Sequence, residues 1–190
     1  GADIKLKLHV SLIEACRGVE KKVTVRRPSR WERGSNSGMQ TETVTIEVHP
    51  GVQSGETLVL KGKGNPGKGG GAAGNLVATI DVAHHPFLHR DGFDLFLTVP
   101  LTMKEAIGGA KILVPTLTGS VRVRVPSGVT PGQKLRLKGR GPRKATGGNG
   151  DLYLILQPTA PVSATAEAMA LAEKLEELYP EGGLRKELTL

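Results

Sequence analysis

Cysteine is nearly absent, with Cys16 alone in 190 residues. One thiol excludes a disulfide framework and a cysteine-built structural zinc site within a single chain. Amid Ile13, Ala15 and Val19 it reads as a small buried hydrophobe. Aromatics are also scarce: Trp31, Phe87, Phe93, Phe96, Tyr153 and Tyr179 are all there are. Any core must therefore be built from Val, Leu and Ile. No apolar run reaches the roughly 18 residues of a membrane span, and the start has no secretory pattern. A membrane partner is not expected, and a cytoplasmic or organelle-matrix location is. The chain opens on Gly1, so a further region upstream is expected.

What is abundant is glycine (26) and proline (12), placed between β-branched runs rather than clustered. That is the make-up of a turn-rich β protein. Ile4-Lys5-Leu6-Lys7-Leu8-His9-Val10 alternates as a half-buried strand. LIEACRG (12–18) suits one or two helical turns closed by Gly18. Val23 and Val25 resume the alternation, followed by a polar excursion at 26–40 that contains Trp31. Strands are expected again at 41–48 and 57–61.

The chain then repeats itself. VRVPSGVTPGQKLRLKGRG (123–141) aligns on EVHPGVQSGETLVLKGKG (47–64) at an offset of 77, GDL (150–152) follows GNL (74–76), and EAIGG (105–109) matches EACRG (14–18) at an offset of 91. The expected fold is mainly β: two similar small β-sandwich domains in tandem, at 3–81 and 93–158. Each carries a short helix, with a joint at 82–92. Ala168, Leu171, Leu175 and Leu178 then share one face of a helix expected over 163–179. Ser163 or Thr165 caps it, Pro180 ends it, and a tail follows at 180–190. Its stripe either packs back on the second domain or pairs with another chain.

Several motifs suggest chemistry and then fail to support it. GKGNPGKG (62–69) looks like a phosphate loop, but Gly69 stands where Ser or Thr would hold magnesium, and glycines follow where a helix should start. Its counterpart GRGPRKAT loses the Gly-Lys pair, so the stretch reads as a repeated turn. His84, His85 and His89 beside Asp91 lie in the joint and read as linker residues rather than metal ligands. Ser11, Ser120 and Ser127 lack nucleophile-elbow glycines, and Glu14 and Glu105 occupy equivalent short-helix positions. An enzyme is not expected, nor is a cofactor or metal. The formal charge is +8, with 23 Lys and Arg against 12 Asp and Glu through Val162. The cations are spread along strands and turns without interleaved aromatics, which disfavours nucleic acid.

Binding is what remains. A peptide pairing with an exposed edge strand would drop alternate side chains into an apolar trough, with Ile4–Val10 and Lys21–Val25 as walls. Core packing is the plain alternative for each wall residue.

HPFLHRDGFDLFLTVPLTMKEAIGGAKILVPTLTGSVRVRVPSGVTPGQKLRLKGRG (85–141), together with HVSLIEACRG and PGVQSGETLVLKGKG, resembles the C-terminal substrate-binding region of DnaJ-family co-chaperones. The resemblance implies a fragment that binds apolar segments of non-native polypeptides and presents them to a DnaK-type 70-kDa chaperone. Without the family's J-domain His-Pro-Asp motif, the fragment would not stimulate that partner's ATPase. The resemblance places a client alongside the strand of Val23 and Val25, with Leu6, Leu8 and Leu12 as further groove residues and Lys21 at the rim. It carries homodimerisation onto Leu171, Leu175, Leu178 and Tyr179. The zinc-binding cysteine repeats of one class are missing, which points to a zinc-free class. A structural dimerisation scaffold or an architectural nucleic-acid-binding protein is the alternative.

Overall fold

A computed structural model describes residues 1–29, 38–181 and 183–189. One element order runs through it twice. The first pass is β1 (Ile4–Val10), α1 (Leu12–Arg17), β2 (Val19–Pro28), β3 (Met39–Val48), β4 (Thr57–Leu60) and β5 (Leu76–Val82). An added strand, β6 (Leu88–Asp91), precedes the second pass. That pass is β7 (Asp94–Thr102), α2 (Met103–Gly108), β8 (Ala110–Thr116), β9 (Gly119–Val125), β10 (Lys134–Leu137) and β11 (Leu152–Thr159), after which comes α3 (Ala166–Glu176). The chain is mainly β, in several small sheets with short helices.

In the first pass β1, β5 and β4 form one sheet, while β2 and β3 form a separate ribbon. β1 runs parallel to β5, with Leu8 opposite Ile80, and β4 runs antiparallel to β5. In the second pass the order is β10-β11-β7-β6, and β8 pairs with β9. Alternation decides which faces are buried. Leu8, Val10, Val25, Val44, Ile46, Val48, Leu76, Ala78 and Ile80 turn inward to one core. Leu95, Leu97, Val99, Leu101, Val114, Val125, Leu152, Leu154 and Leu156 build another.

α1 serves both cores: Ala15 packs in the first, whereas Leu12 and Cys16 pack in the second. Burial pushes the Cys16 thiol above its ordinary value, keeping it protonated. Arg17 Nε donates to the carbonyl of Leu117 at 2.6 Å, and Arg90 donates to those of Gly51 and Val52, each at 2.7 Å. Residues Gly1–Pro158 accordingly form a single compact unit, and Thr159–Leu190 form a second.

The duplication reaches individual hydrogen bonds. Six-residue helices are too short to persist alone, and both use a capping box. The hydroxyl of Ser11 accepts from Glu14 N–H while the Glu14 carboxylate accepts from Ser11 N–H; Thr102 and Glu105 do the same. Gly62 and Gly139 both have positive φ (72° and 70°), and their N–H groups donate to Asn75 Oδ1 and Asp151 Oδ1. Gly64 and Gly141 donate to the carbonyls of Gly74 and Gly150, at 2.8 and 2.9 Å. The phosphate-loop look-alike is thus a strand-ending turn, and the backbone after Lys68–Gly70 is extended rather than helical.

Three expectations shift. The polar excursion is shorter than 26–40, since pairing continues through Arg27 with Gln40 and Pro28 with Met39. Trp31 lies outside the described residues, as does Leu190 of the tail. Part of the 82–92 joint is β6, because His89 and Arg90 pair with Phe96 and Leu95 across the Asp91–Asp94 turn. Finally, α3 starts at Ala166 under a Thr165 cap, not Ser163, and is over at Glu176. Leu178 and Tyr179 follow in tightened turns, whose N–H groups donate to Leu175 and Glu176.

Candidate functional site

α1 alone joins β1 to β2, and each of these strands has only one partner: β5 for β1 and β3 for β2. Each therefore leaves one row of backbone N–H and C=O groups without a strand partner among the described residues. The inward face of β1 carries Ile4, Leu6, Leu8 and Val10; that of β2 carries Val19, Lys21, Val23, Val25 and Arg27. Leu8 and Val25 are fully buried, while Ile4, Leu6, Val19 and Val23 are half-buried against the same core. Leu6 and Val23 are consequently core side chains that a ligand can also touch. Leu8 and Val25 are floor, closed to direct contact.

Of the other groove candidates, Leu12 faces away into the second core. The six-residue α1 turns one side to each repeat, and sequence spacing does not tell which. Lys21 stays at the rim, its ammonium 2.8 Å from Glu14 Oε1. That ammonium, and then the Ser11 N–H, hold the Glu14 carboxyl below its ordinary 4.5. Further along β2, Arg27 pairs with Glu42, which also holds Lys63 at 3.0 Å, and Arg27 Nη1 donates to Gly64 O. These two ion pairs mark the ends of an apolar stretch on β2 centred on Val23. Such an arrangement can bind an extended peptide through its backbone and take apolar side chains with little selectivity.

The second repeat is closed where the first is open. β6 pairs along the edge of β7 that corresponds to the free edge of β1. Among the described residues, no three His, Cys, Asp or Glu side chains gather as metal ligands would. His85 Nδ1 accepts from the N–H groups of Phe87 and Leu88, at 3.4 and 3.2 Å. No helix among the described residues is long and apolar enough to cross a membrane. On α3, Leu171 is exposed and Leu175 half-buried; Leu178 and Tyr179, beyond its end, are exposed.

Sequence reasoning missed two features. Phe96 stacks on Tyr153 at 5.2 Å between centroids, with Lys134 Nζ 5.4 Å from the Phe96 ring, so rings and cations do meet on the outer face of the second repeat. The positive charge is also concentrated: residues 106–150 hold nine Lys and Arg and no Asp or Glu. The second signal was available in the sequence, but counting over the whole body hid it.

Residues 4–161 match the family described as the DnaJ C terminal domain. The chain belongs to that family. Its similarity extends to the "Curved DNA-binding protein" of Pseudomonas putida (strain F1), 38% identical over 177 residues, covering 93% of this chain and 56% of that protein. The namesake in Pseudomonas syringae pv. tomato is 39% identical over 175 residues, covering 92% of this chain and 56% of that protein. The "Chaperone protein DnaJ" of Roseiflexus sp. (strain RS-1) is 35% identical over 182 residues, covering 94% and 49%. The chain spans about half the length of these curated relatives.

Proposed function

We propose that this DnaJ C-terminal region captures apolar segments of non-native polypeptides at the β1–β2 edge and hands them to a DnaK-type 70-kDa chaperone. The observation that carries the reading is the pair of free edges flanking half-buried Leu6 and Val23, against the covered edge of β7. In this reading residues 3–81 form the client domain and 93–158 a second β domain that spaces it. Residues 82–92 join the two, and no cofactor is needed. Leu171, Leu175, Leu178 and Tyr179 pair two copies, and the second groove raises effective client concentration.

Titration of an apolar peptide into the Val23→Asp variant tests the groove. Affinity is expected to fall about tenfold, since a carboxylate would be desolvated against the peptide. Unchanged affinity in a still-folded variant rejects the assignment. Sedimentation at high concentration tests the pairing, and a monomer there rejects it.

A second reading, DNA binding, is favoured by the acid-free stretch 106–150 and by the printed name of the Pseudomonas relatives. The two readings are compatible, because they use different repeats.

A further inference from the structure

The repeat alignment pairs Glu20 with Lys111 and Glu47 with Arg124. Glu20 stands directly opposite Glu47 in the β2–β3 ribbon, and Lys111 directly opposite Arg124 in the β8–β9 ribbon. One position in the duplicated fold therefore holds two acids in the first repeat and two bases in the second. Like charges directly across a ribbon repel and destabilise it, so the second ribbon carries a cost that an anionic partner would remove.

The surroundings extend the pattern. Arg122 lies on the same exposed face, opposite Leu113. At the hairpin tip Arg17 donates to Leu117 O and Arg140 to Thr118 Oγ1, which brings two more cations there. Lys111, Arg122 and Arg124 make no ion pair among the described residues. From Lys111 to Thr116 the ribbon is about 17 Å long at about 3.3 Å per residue, and the side chains of one face recur about every 7 Å.

We infer that the outer face of the β8–β9 ribbon is a binding surface for the phosphate backbone of duplex DNA, with Lys111, Arg122 and Arg124 as its central contacts. This inference rests on the DNA-binding reading above and gives it a location. Duplex DNA fits better than an acidic peptide because the cations stand on a ribbon face, not beside a strand edge where an extended peptide would pair. A two-stranded ribbon is also an element that the major groove of DNA admits.

The test is fluorescence anisotropy of a labelled duplex of about two helical turns, titrated with the 190-residue chain at several salt concentrations. The variant Lys111→Gln/Arg124→Gln is compared with wild type and with Lys5→Gln/Lys7→Gln, an equal loss of charge on the exposed face of β1. The ribbon variant is expected to bind about tenfold more weakly or worse. Its slope of log affinity against log salt should fall by about two, while the β1 variant stays near wild type. Arg122→Gln alone should lower the slope by about one and keeps the surface testable if the double variant misfolds.

If wild type binds but both double variants lose affinity equally, or neither does, the location is wrong and the DNA reading survives. If wild type does not bind duplex at all, both are wrong. Binding of oligoglutamate in place of duplex, abolished in the ribbon variant, would also overturn the inference by making the surface a dock for an acidic protein segment.

Discussion

In the first repeat the outer edge of β1 has no strand partner among the described residues and the β2–β3 ribbon carries opposed acids; in the second, β6 lies along the corresponding edge and the opposed residues are bases. The shared parts are those that hold a small β unit together: inward-facing Val, Leu and Ile, a capped six-residue helix, and glycines at two turns. The parts that differ lie on edges and outer faces, where a substitution disturbs little packing. Duplication supplied two frames of the same plan, whose edges and outer faces were free to diverge.

The largest effects should come from the cores. Ile46→Ala in the first and Leu154→Ala in the second, both fully buried, are each expected to cost about 3 kcal/mol in urea unfolding. Because α1 is built into both cores, either variant should still unfold in one transition. Two resolved transitions would show that the repeats are energetically separate.

Next come the tight turns. A Cβ on Gly64 would sit 2.5 Å from the Gly74 carbonyl carbon, and one on Gly141 2.6 Å from that of Gly150. Since backbone must move in both cases, Gly64→Ala and Gly141→Ala should each cost about 2 kcal/mol or more. A silent substitution at one site and a costly one at the other would break the equivalence of the turns.

The capping boxes should show a smaller, matched effect. Ser11→Ala and Thr102→Ala are each expected to cost about 1 kcal/mol. A much larger loss at Ser11 would mean that α1, through its place in both cores, transmits more than its own cap.

The smallest effect is the pH dependence that Glu14 brings to the first repeat. Glu14 has its folded value lowered, above all by Lys21, so an unfolded chain takes up the proton first as pH falls. Its contribution is complete above the ordinary 4.5 and is lost on going down through the lower folded value. Lys21→Met should flatten this acid limb in urea melts between neutral pH and pH values below 4.5. An unchanged limb would remove Lys21 from the account.

The repeated plan was legible because it rests on local signals. Period-two alternation marked Ile4–Val10, and the spacing of Gly51, Gly55, Gly62 and Gly64 recurred at Gly128, Gly132, Gly139 and Gly141. The acids of the capping boxes were found through the same recurrence. What stayed hidden depends on partners distant in the chain. By resemblance Leu12 groups with Leu8 as a groove residue, yet Leu12 enters the other core because α1 lies between the two. Pairing of β6 with β7 needed a register that HHPFLHRDG does not announce, and Phe96 meets Tyr153 only once β7 and β11 are neighbours.

The double duty of α1 also bears on how the molecule is made. A ribosome releases the chain from its N-terminal end, so strands up to β5 can assemble while the rest is still being synthesised. Ala15 then finds its place at once. Leu12 and Cys16 cannot, because the residues that cover them run from Leu95 to Leu156. Until those strands emerge, the nascent first half displays an uncovered apolar strip, and its shielding is timed by the speed of translation.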